Sequence, residues 1–200
     1  MSYVSDAVGL IYEDKLQTMF PELQRSDKPN HPDFTTGTFH IEAKAGYRDY
    51  GVRLKRYQVE EFPKIELPTV YAIGYHAFPG LMQFKDRKSK LRLVQKMMIL
   101  LHFPEQYLVS DNIIQAIWEQ ERRTSSRGFE YCTAKRRFLE QIIRGGPIVR
   151  RGQQQEAHRV YGVNPSDFVL KSPTPRTFGM LLHRVRDAEA LHFLKRYKKI

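Results

Sequence analysis

Asn30–Gly46, NHPDFTTGTFHIEAKAG, is the stretch on which the fold turns. From Thr38 to Ala45, apolar Phe39, Ile41 and Ala43 alternate with polar His40, Glu42 and Lys44, the period-two pattern of a strand with one buried face. Glu42 and Lys44 therefore leave the strand on the same side, roughly 7 Å apart. Upstream, Pro32 restricts the backbone before Asp33, and Thr35, Thr36 and Gly37 supply a turn. The expected result is a hairpin that sets Asp33 across from Glu42.

Two carboxylates and an amine so placed suit metal-assisted hydrolysis of a phosphodiester. The acids offer hard oxygen ligands for Mg²⁺ while leaving positions for water and phosphate oxygens. The metal lowers the pKa of bound water and stabilises charge on the phosphoryl oxygens. A Lys beside them can orient or help deprotonate the attacking water and offset the developing charge. None of this needs Cys or His.

Pro32-Asp33, eight residues, then Glu42-Ala43-Lys44 resembles the PD-(D/E)xK nuclease superfamily, which includes restriction endonucleases, archaeal Holliday junction resolvases and many repair nucleases. The family often adds an acidic residue on the helix before the hairpin, matched by Glu13, and a Gln on the helix after it, matched by Gln58 in RLKRYQVEEF. The resemblance covers Ser5 to about Ala77. It implies a mixed sheet flanked by helices in αβββαβ order, a restriction endonuclease-like core, with Mg²⁺ or Mn²⁺ as cofactor. It further implies metal ligation by Glu13, Asp33 and Glu42, positioning of the nucleophile by Lys44, and support of water or substrate by Gln58.

The chain has 200 residues, 41% hydrophobic and 28% charged, which suits one globular domain, or one domain with an appended subdomain, and argues against gross disorder. Its formal charge of +11 and pI near 9.8 favour a polyanionic partner through counterion release. Cys132 is the only cysteine, so one chain builds neither a disulfide nor a four-ligand Cys/His zinc site, and a reducing compartment is favoured. With no secretory leader pattern and no apolar run near eighteen residues, the expectation is a soluble cytoplasmic protein without a membrane partner. The absence of a Walker-type GxxxxGK[ST] argues against an ATP-driven mechanism.

Helical spacing of Val8, Ile11, Tyr12, Leu16, Met19 and Phe20 predicts a helix over Ser5–Phe20, with Glu13 beside its apolar stripe. ELQRSDKPNHP then reads as a loop, and VRLKRYQVEEF (Val52–Phe62) as a helix ended by Pro63. TVYAIGYHA (Thr69–Ala77) reads as a central strand. Beyond it come a basic amphipathic helix over Asp86–Phe103, a short strand at Gln106–Ser110, and a helix from Asp111 with Trp118 in the core.

The second hundred residues hold 18 Lys and Arg against 10 Asp and Glu, compared with 15 against 12 in the first hundred. The excess lies in Arg122, Arg123 and Arg127, in Lys135, Arg136 and Arg137 on a helix reaching Ile143, and in Arg150 and Arg151 after Gly145-Gly146-Pro147. Clustered Arg suits bidentate phosphate contacts. RRGQQQEAHR reads as an exposed loop and Pro175–Ile200 as a long helix.

The expected organisation is a nuclease-like α/β core over residues 1–110 with a basic, mainly helical extension over 111–200 packed on it. The expected activity is metal-dependent hydrolysis of DNA, by an endonuclease whose cutting of both strands is compatible with a homodimer. The alternative is a non-catalytic nucleic-acid-binding protein on the same fold, since fold alone does not fix function.

Overall fold

The computed structural model describes residues 3–37, 39–77, 101–122, 131–143, 147–150, 153–156 and 169–173. The first apolar stripe forms helix α1 (Tyr3–Met19). Two-residue strands β1 (Gln24–Arg25) and β2 (Phe34–Thr35) lead into β3 (His40–Tyr47) and β4 (Val52–Lys55). Helix α2 (Arg56–Glu61) and a 3₁₀ turn (Phe62–Lys64) carry the chain to β5 (Thr69–His76). Then follow β6 (Glu105–Ser110), α3 (Asp111–Arg122), β7 (Tyr131–Ala134), α4 (Arg136–Ile143), β8 (Pro147–Arg150), β9 (Gln153–Glu156) and β10 (Val169–Lys171).

Six strands form one mixed sheet in the order β1-β2-β3-β5-β6-β10. Only β3 and β5 are parallel; the other neighbours are antiparallel. A parallel pair needs a crossover, and β4 with α2 provides it. β5 is buried along its whole length, as a strand covered on both faces must be. On one face, Ile11, Tyr12 and Leu16 of α1 pack on Ile41, Ala43, Ala72 and Leu108. Gly74 admits this helix, because a Cβ there would run into the Tyr12 ring. On the other face, α2, α3 and α4 bury Val59, Ile113, Ile117, Trp118 and Leu139 against Tyr71, Ile73, Tyr75 and Tyr107. Buried hydroxyls require partners, and here they pin elements to the sheet: Tyr71 donates to the Gln58 carbonyl at 3.1 Å and Tyr75 to that of Ala134 at 2.9 Å.

A mixed sheet flanked by helices is thus present, as the alternation of patterns implies. Three local expectations are corrected. Val52–Lys55 is strand rather than the first turn of a helix, because Val52 and Leu54 alternate inward and the backbone pairs with β7 in the register Leu54↔Cys132. RRGQQQEAHR is not wholly loop: Gln153–Glu156 pairs antiparallel with Pro147–Arg150. Leu101 and Phe103 are not helical but lie buried against α1 in an irregular segment. The remainder of the expected Asp86–Phe103 helix and the Pro175–Ile200 helix lie outside the described residues. The second half of the chain also supplies β10, whose Val169 pairs with Val109 at the sheet edge. Among the described residues no helix is long and apolar enough to cross a membrane.

Candidate active site

The hairpin forms in the anticipated register. Phe34 pairs with Ile41 and Thr35 with His40, which carries Asp33 opposite Glu42. Asp33 immediately precedes β2, and its Oδ2 receives the Ala43 N–H at 2.8 Å. Ile41 and Ala43 face α1, so Glu42 and Lys44 face the α2 side of the sheet.

Glu42 is 2% exposed, and its Oε1 accepts from both Lys44 Nζ and Gln58 Nε2. Gln58 is itself oriented: its Oε1 accepts the Lys55 N–H at 3.0 Å, closing the first turn of α2, which leaves its NH₂ for Glu42. Burial pushes the Glu42 carboxyl up to about 7, with Asp33 and Glu13 adding repulsion and Lys44 opposing. Burial would lower the Lys44 ammonium, but Glu42 and Asp33 outweigh it and the net shift is upward. Lys44 therefore keeps its proton at neutral pH.

Glu13 approaches from α1. Burial, and then Asp33, raise its carboxyl to about 7, while Arg25 and Lys44 pull the other way. Glu13, Asp33, Glu42, Lys44 and Gln58 thus share one neighbourhood. Two residues of that neighbourhood are not evident in the sequence pattern. Arg25 reaches Glu13 at 3.3 Å, pairs with Asp14, donates to Gln17 at 3.0 Å and lies over the Phe34 ring; it sits in a segment without periodicity. Tyr57 has its hydroxyl raised by burial and then by Glu42, with Lys44 opposing; its position next to Gln58 was the available signal.

The donor set of Glu13, Asp33 and Glu42 is all oxygen, which suits a hard divalent cation. Burial is the main cause that raises Glu13 and Glu42; the further repulsion that Asp33 adds to both is what such a cation would relieve. As placed, Glu42 is engaged by Lys44 and Gln58 and Glu13 by Arg25. Among the described residues no three His, Cys, Asp or Glu side chains are already grouped to hold a metal.

Arg136 is tied to Glu105 at 3.0 Å, Arg137 is exposed with its guanidinium 5.2 Å from the Phe138 ring, and Lys135 is half-buried just before α4. Arg122 ends α3 and Arg150 ends β8, while Arg123, Arg127 and Arg151 lie outside the described residues.

No protein-family model matches the chain, and no curated protein or solved structure matches it either.

Proposed function

We propose that this chain is a metal-dependent nuclease that hydrolyses DNA phosphodiester bonds on a restriction endonuclease-like core of the PD-(D/E)xK type. The observation that carries the reading is the convergence of Asp33, Glu42 and Lys44 from the two arms of one hairpin, with Gln58 bonded to Glu42. The fold lends support: α1, β1, β2, β3, α2 and β5 follow the αβββαβ order, with β4 inserted.

Asp33 and Glu42 are the pair that would hold Mg²⁺ or Mn²⁺, with Glu13 able to add charge from α1. When bound, the ion supplies Lewis-acid polarisation of the phosphodiester. Lys44, held as an ammonium by Glu42 and Asp33, donates to the water or to a non-bridging oxygen and offsets charge in the transition state. That charge state disfavours Lys44 as the proton acceptor. Gln58 fixes the Glu42 carboxylate and is a positioning residue.

The test is incubation of the full chain with Mg²⁺ and linear, nicked, flapped and four-way DNA, beside Lys44→Ala. Cleavage by the parent and its loss in the variant, with DNA binding retained, is expected; wild-type-like cleavage by Lys44→Ala rejects the assignment. One observation favours the non-catalytic alternative: Glu42 already has Lys44 and Gln58 as partners. That reading takes over if neither Mg²⁺ nor Mn²⁺ binds near Asp33 or supports cleavage of any DNA form.

A further inference from the structure

Arg48–Tyr57 carries an arrangement that the acid cluster does not use. In β4, Val52 and Leu54 are buried while Arg53 and Lys55 face outward. Their strand spacing of roughly 7 Å is comparable to that of successive phosphates in an extended single strand. Exposed Tyr50 (70%) and Tyr57 (36%) flank this strand in sequence. Each ring is backed by another: Tyr47 lies 5.4 Å behind Tyr50, and buried Phe62 meets Tyr57 edge-on at 6.0 Å. Lys55 Nζ lies 5.7 Å from the Tyr57 centroid, so cation and ring form one unit.

The stretch is basic as well as aromatic. Arg48, Arg53, Lys55 and Arg56 are all exposed. Of these, Arg48 pairs with Asp49 at 3.6 Å and Arg56 with Glu60 at 2.8 Å, both at the surface, where such pairs exchange readily for phosphate. The far end meets the acid cluster: Tyr57 precedes Gln58, whose amide is on Glu42.

Paired bases keep their faces inside the duplex, whereas unpaired bases stack on exposed rings while cations follow the backbone. We propose that Tyr50, Arg53, Lys55 and Tyr57 form a track for an unpaired DNA strand that ends at the acid cluster, making DNA with a single-stranded segment the substrate class. The track's role in cleavage rests on the nuclease reading; its binding of a strand does not.

The test uses the full chain in EDTA, so that binding is separated from cleavage, with fluorescence anisotropy of a labelled oligo-dT and of a duplex of equal length. Tyr50→Ala and Tyr57→Ala are each expected to weaken oligo-dT binding roughly tenfold while leaving duplex binding unchanged. Tyr50→Phe and Tyr57→Phe, which keep the ring and the packing, are expected to retain parental affinity. Parental oligo-dT affinity in both Ala variants overturns the proposal, as does an equal loss on duplex or a parent that prefers duplex. If the ring-dependent losses appear but no divalent ion supports cleavage, the nuclease reading fails and the track stands.

Discussion

Replacing Lys44 by Met exposes how the hairpin acids are balanced. Glu42 is 2% exposed and ionises near 7 rather than in the usual carboxylate range, with Lys44 the main influence holding it down. Lys44→Met keeps the side-chain volume and removes that influence, so the variant's Glu42 stays protonated well above pH 7. A carboxyl whose folded pKa is raised contributes stability that is complete below the unfolded value and is lost as pH rises through the folded one. In the parent this loss ends near pH 7; in the variant it continues. Each further pH unit adds about 1.4 kcal/mol to the difference between them, or roughly 2–3 kcal/mol between about pH 7 and pH 9. Urea unfolding followed by the emission of Trp118, the single tryptophan, measures it. The Glu42→Gln/Lys44→Met double variant should lose this extra pH dependence, since no carboxyl remains to titrate at that position. A destabilisation by Lys44→Met that is equal at pH 6 and pH 9 would refute the reasoning.

Mg²⁺ or Mn²⁺ should raise the thermal midpoint of the parent, by about 2.7 kcal/mol of stability at a hundredfold excess over Kd. The effect should be larger at pH 8 than at pH 6, because Glu13 and Glu42, both near 7, must release protons to the ion; differential scanning calorimetry of parent and Asp33→Asn checks it, with no rise in the variant. Arg25→Ala should raise the Glu13 carboxyl further, read as a carbon-13 NMR titration, at a stability cost no greater than about 1 kcal/mol because the Arg25 side chain is 37% exposed. Gly74→Ala should cost about 1–3 kcal/mol in urea unfolding through overpacking against the Tyr12 ring, and less in a Tyr12→Leu background.

What could be read in advance was what local pattern encodes. The alternation Phe39 to Lys44 specifies β3 and the shared side of Glu42 and Lys44, and the turn at Thr36 and Gly37 sets the register that brings Asp33 across. Helical spacing likewise marks α1, and β-branched and aromatic density marks β5. What escaped was non-local. VRLK has the composition of a helix start, and only pairing with Tyr131–Ala134, more than seventy residues on, makes it β4. That strand still delivers Gln58 to Glu42, because the helix begins immediately afterwards. Arg25 is a loop residue by sequence, yet its guanidinium ties Glu13, Asp14 and Gln17 of α1 to the strand leading toward Asp33. No spacing rule reports such a clamp.

The central claim is that Asp33 and Glu42 together hold a divalent ion beside Lys44. Electron paramagnetic resonance of Mn²⁺ titrated into the full chain at pH 8 tests it without requiring a substrate. Loss of the free Mn²⁺ signal with the parent, and its persistence with Asp33→Asn and with Glu42→Gln, is the predicted result. An undiminished free signal with the parent, or binding that survives loss of both acids, would contradict it.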